Sequence, residues 1–414
     1  MASINLSDLT FQNYEYVIDS LTIQCKGKDN KIEHIQMTNL FIEKDYDRDH
    51  LPIIMLQLVM ADELYYDICN NKDTTTFTIV LKSQITTGNG IKSSGSIYIS
   101  DKFVVLNNDN TPFQSKKLYD IIEGKSSAGI TSTMSNFMNQ RTFILGKKSD
   151  LVATKKNTNM VLSKSNMLNA ISVTLSQAGS SKVLLSPLDN NTEYEELILL
   201  PQPTIPQLKY LNSFYGFYKE GAQIFFDLDC TYILRNTAKC TAYRPNEIKT
   251  VYFCVYDTSH GKTNSVGSRT YINEETAYIG LSGINMNVDD LTTSSNEYIG
   301  TNSVVINNDG TVSQAKSGIG TTFNILSVRN HNNFYADELS LRMKELSCVV
   351  TLTISNVDLS LITPNKTFKI LATDTDVAKS VSGSFRLVSI KTFFNKDGNR
   401  LIPTSVVILK RTDT

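Results

Sequence analysis

Two aspartates stand two residues apart in the run Ile224-Phe225-Phe226-Asp227-Leu228-Asp229. They are the chain's best candidates for carboxylate chemistry. Paired carboxylates do acid–base work when their surroundings separate their proton affinities, and they also bind cations. On a strand, residues two apart share a face, so the run predicts both side chains on one side of a strand. The same placement suits the polar face of an edge strand or the capping of neighbouring backbone. No His lies close in sequence, and no Asp-Thr-Gly or Asp-Ser-Gly triplet occurs. Those absences favour the structural role.

Other candidates are weaker. Asp45-Tyr46-Asp47-Arg48-Asp49-His50 begins like a calcium loop, with carboxylates at alternate positions. Such a loop needs Gly in its sixth place and Glu in its twelfth, and these places hold His50 and Leu56. A charged turn before a strand is the better reading. The four histidines, His34, His50, His260 and His331, never fall at ligand spacing. Neither the zinc-protease pattern H-E-x-x-H nor the nucleophile elbow G-x-S-x-G occurs. Thr87-Gly88-Asn89-Gly90 and Gly318-Ile319-Gly320 read as hairpin turns, without the residues that complete a phosphate loop. Lys147-Lys148 and Lys155-Lys156 make a weakly basic stretch, read as a solvated loop with an acidic partner or nucleic acid as the alternative. No catalytic residue, cofactor or metal site is assigned.

The aspartates must be positioned by the block that precedes them. In Thr204-Ile205-Pro206-Gln207, Thr204 is expected to cap a helix start, with Gln207 three residues on completing a capping box. Pro206 fits the first turn. Leu208, Leu211 and Tyr215 recur at helical spacing and make one apolar face. Gly216 is expected to close the helix in the left-handed conformation. Phe217 to Asp229, including Tyr218, then reads as aromatic-rich strand, continued by Tyr232-Ile233-Leu234. This helix–strand block, 204–236, reads as a joint between domains.

At 414 residues, the chain has room for two to four domains. It is 41% hydrophobic, enough for ordinary cores, and its formal net charge of -1 lacks the basic excess of a phosphate-gripping protein. Six cysteines without a C-x-x-C read as reduced, buried small hydrophobes. The N-terminus shows neither a basic nor an apolar signal region, and the longest apolar stretch, Leu51 to Ala61, is far short of a bilayer span. A soluble protein without stable membrane insertion is expected.

Residues 1–111 read as β-rich. In Thr75 to Ser83, Phe77, Ile79 and Leu81 lie on one side and Thr76, Thr78, Val80 and Lys82 on the other. A short helix after Asp62, its expected cap, carries Leu64, Tyr65, Ile68 and Cys69 on one face. Residues 112–203 read as loop-rich with one clear helix, capped by Ser163 or Ser165, striped by Leu168, Ile171 and Leu175, and closed by Gly179. Residues 237–345 and 346–414 read as β again. Asn307-Asn308-Asp309-Gly310-Thr311 and Asn395-Lys396-Asp397-Gly398-Asn399 are tight-turn signals.

Leu211, Tyr215, Gly216 and Tyr218, followed by Asp227, Asp229, Tyr232 and Leu234, give the order of elements its meaning. With the helix and strand of Asn166 to Ser186 and the approach Leu197-Ile198-Leu199-Leu200-Pro201, this order resembles the central baseplate hub proteins of contractile phage tails and related injection machines. The resemblance implies a mainly β fold with a few short helices (α+β). It implies tube-type β-barrel domains at 1–111 and 237–345, an inserted domain at 112–203 and a C-terminal segment, 346–414, completing the inserted or second β domain. It further implies a homotrimer, a pseudo-six-fold adaptor between the hexameric tail tube and the trimeric central spike. Other baseplate or tape-measure proteins would surround it, and genomic DNA would pass through without sequence recognition. Its place would be the virion tail baseplate, assembled in the host bacterial cytoplasm. The joint residues Thr204, Leu208, Leu211, Tyr215, Gly216, Tyr218, Asp227, Asp229 and Tyr232 are then structural, and the chain is not an enzyme. The alternatives are a six-fold tail-tube or distal-tail virion protein, a cell-wall hydrolase acting through Asp227 and Asp229, or a carbohydrate-binding adhesin.

Overall fold

A computed structural model describes residues 12–47, 51–87, 92–106, 138–179, 182–218, 221–237, 242–256, 268–282, 285–290, 303–306, 312–315, 348–372 and 381–412. Strands β1 (Gln12–Cys25), β2 (Lys28–Lys31), β3 (Met37–Asp45) and β4 (Ile53–Ala61) precede helix α1 (Asp62–Asn70). Strands β5 (Thr76–Thr87), β6 (Lys92–Val105) and β7 (Met138–Lys147) follow. The middle holds α2 (Lys148–Lys155), β8 (Asn157–Ser165), α3 (Met167–Ala178), β9 (Val183–Leu185), β10 (Tyr194–Pro203), α4 (Thr204–Tyr215), β11 (Ala222–Phe226) and β12 (Thr231–Arg235). The last part holds β13 (Thr250–Tyr256), β14 (Arg269–Asn273), β15 (Thr276–Ser282), β16 (Met286–Asp290), β17 (Ser303–Ile306), β18 (Val312–Ala315), β19 (Cys348–Ser355), β20 (Thr367–Ala372), β21 (Phe385–Asp397) and β22 (Arg400–Arg411). The fold is mainly β with short helices.

The strands close on themselves. The sequence β1–β5–β6–β7–β4–β3–β21–β22 returns to β1, and every neighbouring pair in it is antiparallel. Closure removes the unpaired edges of an open sheet, which makes this circuit a barrel. Period-two patterning fills its interior. Phe77, Ile79 and Leu81 are buried as their alternation predicts, alongside Tyr16, Leu56, Phe103, Phe143 and Leu145. A second circuit runs β14–β15–β13–β20–β21–β22–β1, closing by single bridges at Phe368↔Phe385, Tyr16↔Leu401 and Gln12↔Thr270. β19 and β16 extend it beyond β22.

The hairpin β21–β22 belongs to both circuits. Its strands, 13 and 12 residues long, stay paired from Asp397↔Arg400 at the turn to Phe385↔Arg411 at the open end. Near the turn, Ser389–Phe394 bonds to β3 and Leu401 meets β1. Toward the open end, Phe385 meets β20 and Thr404–Lys410 bonds to β19. The expected turn at Asn395–Asn399 forms here, with Gly398 at φ 59°. The segment expected to complete one β domain thus supplies strands to two circuits. Similarly, β7, from the stretch read as loop-rich, lies between β4 and β6 of the first circuit. Its Phe143-Ile144-Leu145 run supplies the apolar positions.

Residues 148–236 build a smaller α/β unit with its own apolar cluster, including Met167, Ile171, Leu175, Leu208, Leu211 and Phe217. Here several local expectations need correction. Helix α3 is capped by Asn166, whose side chain accepts the Asn169 N–H, not by Ser163 or Ser165. Leu168 faces outward, and Met167, Ala170, Ile171, Thr174 and Leu175 make the buried face. Gly179 closes the helix in the left-handed conformation as expected. Thr204 is the first residue of α4 and caps nothing; its hydroxyl instead donates to the Ala153 carbonyl at 3.0 Å. Gln207 makes no capping bond, because it is turned into the core. Likewise Asp62 opens α1 without capping it, and its carboxylate holds Arg141 and Asn139. The turns at 88–91, 307–311 and 318–320, together with His50, His260 and His331, lie outside the described residues.

Gly216 does end α4, donating to the Asn212 carbonyl at 2.8 Å, but its φ of 77° and ψ of 138° are not the left-handed helical values. It starts an extended segment with inverted φ, which a Cβ makes costly. Gly216→Val is expected to cost about 1–3 kcal/mol of stability. Urea denaturation checks this, and an unchanged midpoint would contradict the assigned backbone.

Candidate functional site

The joint is a wall with two apolar faces. β11 pairs antiparallel with β12, and β12 pairs parallel with β9. Ile224, Phe226 and Ile233 join the α/β unit's cluster, while Phe225, Tyr232 and Leu234 join the large barrel cluster. A strand buried on both faces needs a continuous apolar run, and Ile224-Phe225-Phe226 and Tyr232-Ile233-Leu234 are such runs. Tyr46 at the end of β3 packs on Phe225, ring centroids 4.6 Å apart, and Phe225 stacks on Tyr232 at 5.4 Å.

Asp227 and Asp229 are not on a strand. They lie in the turn from Phe226 to Thr231, closed by the Asp227 N–H donating to the Cys230 carbonyl at 2.9 Å. The expectation that both share a strand face is therefore wrong, because the turn begins one residue before the pair could alternate. Asp227 is 1% exposed. Its carboxylate meets the Lys44 ammonium at 2.8 Å and accepts the Tyr46 hydroxyl at 2.8 Å and the Leu228 N–H at 2.6 Å. Lys44 points inward from β3 and is itself buried. Burial works to lower its pKa, but Asp227 and then Tyr98 override this and hold the ammonium above the ordinary lysine range. Burial first, and Asp227 next, push the Tyr46 phenol well up, so it stays a donor.

The rest of the turn is held as firmly. Lys147, at the end of β7, donates to the Leu228 carbonyl at 2.7 Å and pairs with Asp101 at 3.0 Å. Asp229 accepts from the Tyr232 hydroxyl and from Arg244. Burial opposes ionisation of Asp229, but Lys44, Tyr232 and Arg244 outweigh it and hold its pKa low. Arg244 leads onward: its N–H donates to Glu247, which also pairs with buried Lys366 at 2.7 Å and accepts from Asn365 at 3.0 Å. A polar chain thus runs from the first barrel, through the turn, to the residues just before β20.

The remaining joint residues serve the α/β unit. Leu208 and Leu211 are fully buried. Tyr215 packs edge-on against Tyr194 at 4.9 Å. The Tyr218 hydroxyl donates to the Ser186 carbonyl at 2.7 Å, and the Arg235 guanidinium lies 5.0 Å from its ring. Asn190 ties down the helix end by donating to the carbonyls of Tyr215 and Gly216, both at 3.0 Å. Lys44, Asn190 and Arg244 belong to no recognisable sequence motif, while Tyr46 and Lys147 stand out only within the calcium-like run and the basic stretch and not as partners of this turn. Among the described residues, no group of three or more His, Cys, Asp or Glu side chains is placed to hold a metal ion. No described helix is long and apolar enough to cross a membrane.

Asp150, in the first turn of α2, is a buried carboxylate of a different kind. Ser149 donates to one oxygen at 2.9 Å, and the other has no hydrogen-bond partner among the described residues. Burial pushes its pKa up to about 6.

Two predictions follow from these carboxylates. Lys44→Met or Asp227→Asn should each cost about 3–5 kcal/mol, because either strands its buried partner. The double variant should lose clearly less than the sum of the two, as measured by urea denaturation of all three variants. For Asp150, the folded-state pKa exceeds the unfolded one, so the native state binds more protons between these values. Stability from this group therefore falls as pH rises from about 4 through about 6, and Asp150→Asn should remove that slope and raise the melting temperature at pH 7. A pH series of melting curves checks it.

Comparison with solved structures agrees with this architecture. A tail protein from Neisseria meningitidis MC58 superposes with a TM-score of 0.50 at 10% identity, covering 96% of each chain. The 43 kDa tail protein of prophage MuSo2 from Shewanella oneidensis gives 0.45 at 10% identity, over 95% of this chain and 99% of that one. The E. coli c3393 protein, described as a component of the type VI secretion system, gives 0.39 at 10% identity, over 93% and 76%. The first of these shows a shared fold. No curated protein sequence matches. The model of the bacteriophage PBS1 gene 109 protein family matches residues 6–412, nearly the whole chain. The chain therefore belongs to the bacteriophage PBS1 gene 109 protein family.

Proposed function

We propose that this protein is the hub of a contractile phage tail baseplate. In this reading it is a homotrimer that joins the hexameric tail tube above to the trimeric central spike below. The observation that carries the proposal is the pair of strand circuits within one chain, which share the β21–β22 hairpin and β1. An adaptor between six-fold and three-fold partners leaves contacts unsatisfied unless each subunit presents similar surfaces twice. Two circuits per chain supply six wall segments from three copies. The tail-protein fold and membership of a phage protein family support the same assignment.

The joint then sets the spacing of the wall segments and does no chemistry. Asp227 is sealed by Lys44 and Tyr46, out of reach of a cell-wall substrate, which speaks against the hydrolase alternative. Other baseplate or tape-measure proteins surround the hub in the virion, after assembly in the host cytoplasm, and genomic DNA passes along its axis without sequence recognition.

Stoichiometry tests this reading. Quantitative mass spectrometry of purified particles, with isotope-labelled reference peptides, should count three copies of this chain against six tube subunits per tube ring. Six copies would assign the chain to the tube or distal tail instead.

A further inference from the structure

A cavity of about 400 Å³ lies where the α/β unit meets the first barrel. β6 and the end of β7 form one side, the first turn of α2 another, and Leu228–Cys230 of the charged turn a third. Its volume falls within the range of pockets that hold small molecules. Ala153, Phe226 and Leu228 supply apolar wall, and exposed Ile97 and Lys182 mark the mouth.

Three carboxylates line this cavity: Asp101, Asp150 and Asp229. Two are already matched, Asp101 by Lys147 and Asp229 by Arg244. Asp150 is not. It is 8% exposed, forms no ion pair among the described residues, and has one oxygen without a hydrogen-bond partner. Lys147 is spent on Asp101 and the Leu228 carbonyl. Lys182 is exposed to water and pairs with no carboxylate among the described residues. The other Asp150 oxygen accepts from Ser149, itself exposed. The last torsion of an aspartate turns broadly, so the carboxylate can present an oxygen to the cavity and keep this bond.

A buried carboxylate is unfavourable when ionised unless a charge partner replaces its lost water. Around Asp150, burial, Asp101 and Asp227 all oppose ionisation, and Lys147 and Ser149 only partly offset them. The missing partner is therefore a cation. Among the described residues no three His, Cys, Asp or Glu side chains are placed to hold a metal ion, and the apolar wall suits a hydrocarbon body. One unbonded oxygen suits a single ammonium, whereas a planar guanidinium is best matched by two free oxygens.

We propose that this cavity binds a protonated alkylamine, with its ammonium on Asp150 and its hydrocarbon chain against Phe226 and Leu228. The amine has two sources of the same chemistry, a small free molecule and the lysine side chain of a docked protein. The site does not rest on the hub assignment.

The test uses the full chain with n-butylammonium as probe, followed by ligand-observed NMR. Saturable binding in about the millimolar range is expected at pH 8. Asp150→Asn should weaken it about tenfold or more, with a melting curve to check that the variant is folded. The free carboxyl titrates at about 6, so only about a tenth of it is ionised at pH 5, and binding to the unmodified protein should fall about tenfold there. Lys182→Glu, at the mouth, should tighten binding about threefold, the scale of a surface charge contact. n-Butanol, which lacks the charge, should not bind. Equal binding by Asp150→Asn, or no change between pH 8 and pH 5, would overturn the proposal. Equal binding of n-butanol would overturn it by reducing the site to an apolar hole, and no saturation at about 100 mM amine would leave the cavity to water. N-acetyl-lysine N-methylamide separates the two sources: binding beside n-butylammonium assigns a lysine side chain, and exclusion assigns a free amine. None of these outcomes bears on the copy number of the hub.

Discussion

The constraint on which the molecule depends is the end-to-end pairing of β21 with β22, interrupted by one bulge at Val388. A hairpin of this length would be only marginally stable alone. Here β3 and β1 bond to it near its turn, and β20 and β19 bond to it near its open end. Because backbone hydrogen bonds fix both register and twist, the two circuits cannot rotate independently without breaking the hairpin. Relative orientation is set by secondary structure and not by a flexible linker. In the proposed ring this would matter more than raw stability, since small angular errors per segment accumulate around a closed ring.

The Asp227–Cys230 turn adds a second tie of different chemistry. Lys44 and Tyr46 reach it from the first barrel, Lys147 from the end of β7, and Arg244 from the segment leading to the second circuit. A buried ion pair contributes little net stability compared with apolar packing, because both charges lose water. It does impose direction: among the described residues, Lys44 forms its ion pair with Asp227, and that carboxylate accepts three donors. The wall of β11 and β12 separates two cores, and the charged turn fixes how far it enters the first.

What the sequence made legible was local. The alternation of Phe77, Ile79 and Leu81, the Gly179 helix stop, the turn at Gly398 and the apolar face of Leu208, Leu211 and Tyr215 all follow from short-range patterns, and the mainly β class follows from their sum. What was not legible depends on partners far apart in the chain. Lys44 and Asp227 are unremarkable singly, and no spacing rule links them. Asp227 and Asp229 looked like a strand pair because the apolar run before them is strand-like, whereas the turn is fixed by a backbone bond to Cys230. The capping box at Thr204 failed because tertiary bonding to Ala153 and burial of Gln207 outweighed local capping. Asn166, next to Ser165, caps α3 because its side chain reaches the Asn169 N–H.

The central claim is that one chain contributes two equivalent wall segments to a ring around the tail axis. A symmetry-free reconstruction of the assembled baseplate by electron cryomicroscopy tests it most directly. The account predicts three copies of this chain at the axis, with six barrel-like densities at one level alternating between the two circuits. Six copies at the axis, or three copies with one circuit of each lying away from the ring, would contradict it.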